Sequence, residues 1–443
     1  MNLWNPIFRM GRKLGVLFVL FCCICKASFA SSGDPFLPNS VLSLDDVVAV
    51  ALLHQPDLKA ARDNVKAALS RGGQATAAYW PEIDLDSNYY RGNFLSFPGP
   101  VSQIITENFL TYETYLSSNL TIEDFGKRHA QVGKANAQIA GAEAQYHDTR
   151  SKVIFNAAEA YFKVLQAQAL TEVNRNLETA SLKRLDQAKG FVATGEKPKL
   201  ELLKAQAAYL SDHFNYLKSE EDLANAHTHL DAVMGINNPP SYTVKENFAI
   251  PPFQIDLPSA KAFAFKSKPE LRQAQARVEE TEADVNALKA GRWPIVQASA
   301  LYGWADSKFP PGSQSWLLGA TLHWPLFDGN KLTHQINEAV AFHAQAEEQE
   351  KTVRLQVDED IEKSYRVFQD AQTRLLVARQ EAAQAQEANR LADARYKVGL
   401  AEFIEVADAH AQLATAKAHE VEALTDLRLS QSALKRSIGL EEP

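Results

Sequence analysis

Glu405 and Asp408 stand three residues apart in YKVGLAEFIEVADAHAQ, the stretch from Tyr396 to Gln412. On a helix that spacing sets both carboxylates on one face. Such a pair is commonly a solvated surface. Lining a narrow passage, it would instead be fixed negative charge that favours cations. No catalytic constellation competes with it: the chain has no HExxH, CxxC, nucleophile elbow or phosphate loop. His227 and His229, two apart on a helix, diverge, and His334, His343, His410 and His419 read as solvated or interfacial residues, not metal ligands. The expectation is a protein that is not an enzyme and carries no cofactor.

The chain opens like an export signal. Arg9, Arg12 and Lys13 precede an apolar run from Leu14 to Cys25, and Ser28 and Ala30 suit cleavage after Ala30, so residues 1–30 are expected to be a signal peptide. That run is too short to span a bilayer as a helix, and no later stretch reaches the ~18 uncharged residues such a helix needs. All three cysteines (Cys22, Cys23, Cys25) lie in the leader. Phe21, Cys22 and Ile24 stand where a lipoprotein signal needs small residues, so neither disulfides nor a lipid anchor are expected. Removing the leader takes away four cationic residues and no acid, lowering the formal charge from −8 to −12. Acidic chains are poor partners for nucleic acid.

The elements that must carry the acid pair come in duplicate. HQPDLKAARDNV around Pro56 matches SKPELRQAQARV around Pro269 at an offset of 213, which also brings Tyr79, Trp80 and Pro81 onto Arg292, Trp293 and Pro294. Gly126 meets Gly329 at 203, and Gly195 meets Gly399 at 204. Two units are thus expected, at 31–236 and 258–443, joined by a linker at 237–257 in a region holding Pro239, Pro240, Pro251, Pro252 and Pro258. Each begins with a helix (44–79 and 258–292) that Pro56 or Pro269 kinks or restarts.

The period then changes to two, giving β-hairpins at 82–122 and 295–326 with four strands of about ten residues, long enough to cross a bilayer in a barrel or to form a half-buried soluble sheet. Four strands cannot close a barrel, so a membrane reading needs several chains. Long helical hairpins follow at 127–235 and 330–438, turning at Gly195 and Gly399. Their first arms are expected to run roughly 90–100 Å. Alanine-rich three-four seams run through Phe368, Ala371, Leu375, Ala378 and Ala382, and through Ile404, Ala407, Ala411, Ala414, Ala418 and Val421.

Taken in order, the duplicated helix, hairpin and long helical hairpin, the run from Trp324 to Lys331, ANRLADARYKVG ending at Gly399 and the acids that follow resemble the TolC-like outer-membrane efflux channel family. The resemblance implies a mainly α homotrimer whose helices form an α-barrel tube across the periplasm. Four strands per chain would contribute to a twelve-stranded β-barrel embedded in outer-membrane lipid. It implies partnership with a periplasmic adaptor (membrane fusion) protein and an inner-membrane transporter of the RND, ABC or MFS type, with no nucleic acid. It further implies that Glu405 and Asp408 ring the pore constriction, that Tyr396 and Glu201 form a gate link, and that Val398, Gly399 and Leu400, with Gly195 in the first repeat, form the adaptor-docking tip. Ala401 stands where the family carries a basic residue and Leu200 replaces its hydroxyl partner, so a second gate link is not expected. The alternative from another class is a periplasmic coiled-coil adaptor or scaffold, which shares long helical hairpins but lacks the duplicated amphipathic strands.

Overall fold

In the computed structural model, residues 40–96, 105–237, 239–245, 253 and 255–440 are described. The leader at 1–30, the end of the first hairpin and much of the 237–257 joint lie outside these residues. The first half runs β1 (Val41–Leu42), α1 (Leu44–His54), α2 (Pro56–Ala77), β2 (Glu82–Ser96), β3 (Ile105–Glu123), α3 (Lys127–Ala193) and α4 (Lys199–Met234). The second runs β4 (Thr243–Val244), α5 (Leu257–Ser267), α6 (Pro269–Ala290), β5 (Ile295–Asp306), β6 (Ser313–His323), α7 (Lys331–Lys397) and α8 (Phe403–Ser437). Pro56 and Pro269 each open a new helix, because a proline ring tolerates the first helical turn but forbids the i→i−4 bond further in.

The long arms α3 and α7 are unbroken, 67 residues each, or about 100 Å. Along its upper part α3 packs between α2 and α6, and α6 packs on α7; lower down α4 and α8 take over as the partners. The exchange happens at a joint built twice. Gly235, at φ 73°, sits against the backbone of His54 and Gln55, and Gly439, at φ 82°, sits against Ser267 and Lys268. Gln55 Nε2 donates to the Val233 carbonyl at 3.1 Å, and Ser267 Oγ donates to that of Ile438 at 3.0 Å. Residues related by the two offsets meet here, since His54 and Gln55 correspond to Ser267 and Lys268 at 213 and Gly235 to Gly439 at 204. The largest cores lie near these joints, one around Tyr161, Phe162, Leu230 and Met234 and the other around Ile361, Phe368, Leu434 and Ile438.

Two expectations need correction. Gly126 does not correspond to Gly329: Asp124 caps the Arg128 amide and Asp328 caps that of Leu332, so Gly126 (φ 95°) matches Asn330 (φ 65°), again at 204. Near the turn the α8 seam also runs one residue earlier than expected, through Phe403, Val406 and His410, leaving Ile404 and Ala411 exposed. Alanine is common on both faces of α8, so apolar spacing did not choose between them; the larger Phe403 and Val406 did. The α7 seam from Phe368 to Ala382 is buried as spaced.

The strands form one antiparallel sheet ordered β2–β3–β5–β6. β2 and β3 have 15 and 19 residues, longer than expected, because their pairing continues from Leu110↔Arg91 to Ile105↔Ser96, beyond the end of β5. Backbone pairing does not require the side-chain alternation that marks a strand in sequence. Registered rows cross the sheet. Leu85, Leu116, Tyr302 and Trp316 form one row, and Ile83, Ser118, Ala300 and Leu318 another. The opposite face carries Glu82, Asn119, Ser299 and Gly319, then Asp86, Tyr115, Gly303 and Ser315. One face is therefore predominantly apolar yet exposed, with Leu85 and Trp316 each at 73 %, and the other largely polar, the signature of a membrane barrel wall. Among the described residues no helix is long and apolar enough to cross a membrane.

A β-carbon at Gly303 would lie 2.2 Å from the Thr114 carbonyl oxygen on the neighbouring strand. Gly303→Ala is expected to push β5 off β3 at a cost on the order of 1–3 kcal/mol, read as a lower dissociation temperature of the assembled protein on unboiled gels.

Candidate functional site at the helical tips

Both helical hairpins turn on a left-handed glycine, Gly195 at φ 77° and Gly399 at φ 79°. At the first, the Glu196 amide donates to the Phe191 carbonyl and that of Gly195 to Val192; at the second, Leu400 donates to Arg395 and Gly399 to Tyr396. This paired capping satisfies the last carbonyls of each long arm and needs a residue free to take positive φ. The turns differ in what they present. Val398 and Leu400 flank Gly399 and are 68 % and 72 % exposed, whereas Gly195 is flanked by exposed Thr194 and Glu196. The backbone is repeated, but the residues flanking the glycine are apolar at Gly399 and polar at Gly195.

Between the tips the two hairpins share a small core of Leu185, Ala188, Ala205, Tyr396, Phe403 and Val406. Ala401 belongs to it, so a packed methyl group occupies the position where the family resemblance implied a cation, and Leu200 is exposed. Three polar links cross from hairpin to hairpin around this core. Tyr396 Oη donates to Glu201 Oε2 at 3.3 Å, joining α7 to α4. The Lys197 ammonium lies over the Tyr396 ring, 5.2 Å from its centre, and 3.9 Å from the same carboxylate. Arg184 on α3 donates Nε to Asp393 at 3.0 Å and a terminal nitrogen to Asn389 at 3.2 Å, both on α7. His410 Nε2 is 3.0 Å from Asp212 Oδ2, joining α8 to α4.

Burial, then the charge of Glu201 and the bond to it, push the Tyr396 hydroxyl up to about 12. It therefore remains a neutral donor at physiological pH.

Glu405 and Asp408 both lie on the exposed side of α8, away from the Phe403, Val406 and His410 seam. They are not equivalent. Glu405 accepts from Arg395 at 2.5 Å across the turn, while among the described residues Asp408 makes no hydrogen bond or ion pair.

Sequence reading paired Tyr396 with Glu201 but missed Arg184, Arg395 and the His410–Asp212 contact. Arg395 was accessible in principle, because two helices joined by a short turn bring their adjoining ends together. The Arg184–Asp393 pair, 209 residues apart, carried no local signal.

The family described as outer membrane efflux protein matches residues 47–236 and 264–440, one segment in each half. Over 90 % of its length the chain is 23 % identical to OpmQ, the pyoverdine export outer membrane protein of Pseudomonas aeruginosa, covering 84 % of that protein. It is 22 % identical to the outer membrane protein TolC of Escherichia coli, over 90 % of this chain and 82 % of that one. The structure resembles the Campylobacter jejuni CmeC outer membrane channel with a TM-score of 0.80 and 17 % identity, covering 90 % and 86 % of the two chains. These matches separate the channel from the coiled-coil adaptor alternative in favour of the channel. With both halves matched, an amphipathic four-stranded sheet and long tubular helices, the chain belongs to the outer membrane efflux protein family, homotrimeric outer-membrane channels of Gram-negative bacteria that work with a periplasmic adaptor and an inner-membrane pump.

Proposed function

We propose that the helical tips form the gated periplasmic mouth of this channel, with Glu405 and Asp408 from three copies lining its constriction. In this reading the Tyr396–Glu201 bond, with Arg184–Asp393 beside it, holds the two hairpins of each chain together and keeps the mouth narrow. The exposed Val398-Gly399-Leu400 turn is the surface gripped by the adaptor, and the Gly195 turn plays the lesser part because its flanks are polar. Transport requires no bond to be made or broken, so the chain supplies a passage and no catalysis.

The observation that carries this reading is the Tyr396–Glu201 bond at 3.3 Å, a link between hairpins lying one turn from the segment that bears the acids. A hydrogen bond to a charged partner contributes about 1.5–3 kcal/mol, and tenfold in an equilibrium corresponds to roughly 1.4 kcal/mol. Tyr396→Phe keeps the ring in the core and removes only the donor. It is expected to raise the resting conductance of reconstituted trimers roughly tenfold, with the other two links preventing full opening. An unaltered resting conductance would argue against the gate role of Tyr396.

Docking at the tip is tested by photocrosslinking in cells. A probe replacing Val398 or Leu400 is expected to capture the adaptor, and one at Thr194 to capture it less.

A further inference from the structure

We infer that Arg395 sets the charge of the constriction by neutralising Glu405, so that Asp408 alone gives the mouth its negative field. The inference rests on the reading of Glu405 and Asp408 as pore-lining acids and assigns them unequal parts. Arg395 lies in the last turn of α7 and Glu405 in the first turn of α8. Each is thus at the helix end its charge favours, a cation among free carbonyls and an anion among free amides. The Arg395 guanidinium donates to Glu405 Oε1 at 2.5 Å and is within 3.4 Å of the Leu400 carbonyl, fastening the side chain to the turn.

Both partners remain about half exposed, 56 % and 42 %. The pair therefore contributes little to stability, but its charges travel together and cancel at a distance. Asp408, one turn further along α8, has no such partner among the described residues. Three copies therefore present three uncompensated carboxylates, not six. The pairing also explains how a chain with Ala401 at the family's basic position still places a cation at the mouth. Here it comes from the other side of the turn and faces an acid of its own hairpin.

The test is a charge series measured as reversal potentials of reconstituted trimers in a potassium chloride gradient. Arg395→Gln uncovers Glu405 and is expected to raise the cation-to-anion permeability ratio at least twofold. Arg395→Lys keeps the charge and is expected to match wild type. Arg395→Gln combined with Glu405→Gln restores the original net charge and is expected to return the ratio to the wild-type value, although each single change moves it in the opposite direction. An unchanged ratio in Arg395→Gln, or a double variant that behaves like Glu405→Gln alone, would overturn the inference. Asp408→Asn separates the two levels of the argument. If it lowers the ratio while Arg395→Gln does nothing, the compensation fails and the pore reading stands. If it has no effect, the pore reading fails and the compensation with it.

Discussion

In planar bilayers, trimers carrying Glu405→Gln together with Asp408→Asn are expected to change from cation-favouring to anion-favouring. In the proposed constriction Glu405 is paired with Arg395 and Asp408 is the second acid. Removing both acids leaves three guanidinium groups around a narrow opening, and rings of Arg or Lys favour anions as rings of Asp or Glu favour cations. The effect is expected to be large because a constriction admits little screening salt, and within a Debye length of about 8 Å at physiological ionic strength the ring acts as a single field. It should shrink as bath salt rises. Trimer yield serves as the control, since neither acid is part of the buried seam of α8. Cation selectivity that survives the double substitution would remove Glu405 and Asp408 from the pore.

The second large effect is expected in the sheet, where neighbouring residues on one strand face opposite media. Leu116 lies in the apolar row with Leu85, Tyr302 and Trp316, and Ser117 in a row with Asp84. An arginine on the lipid face near the bilayer midplane costs about 2–4 kcal/mol, and a lumen-facing substitution is tolerated. Leu116→Arg should therefore nearly abolish heat-modifiable trimers in the outer-membrane fraction, because each trimer carries the penalty three times. Ser117→Arg should leave their amount close to wild type and alter conductance instead. Equal loss in both variants, or in neither, would contradict the assignment of the two faces. The edges of the same sheet require neighbours. Among the described residues β2 and β6 each have one side without a strand partner, and unpaired backbone groups are not tolerated in hydrocarbon. Three such sheets, one from each copy of a homotrimer, joined edge to edge would leave no open edge and close a twelve-stranded barrel.

What the amino-acid order determined by itself is whatever depends on near neighbours and on repetition. Proline placed the breaks at 56 and 269, alternation placed the strands, three-four spacing placed the seam of α7, and glycine placed the turns at 195 and 399. The acid pair and the tyrosine were visible because their spacing repeats a family pattern. Only the tertiary structure decided which face of α8 is buried, since alanine on both sides left the choice to Phe403 and Val406. Packing likewise matched Gly126 with Asn330, through aspartates capping the following helix. It also brought Arg184 to Asp393, His410 to Asp212 and Arg395 to Glu405. Charged side chains on long helices look alike in sequence, because each is compatible with water; a partner on another helix is defined only once the helices are laid side by side. For that reason the two carboxylates that spacing made a matched pair became, in three dimensions, one acid paired with Arg395 and one without a side-chain partner among the described residues.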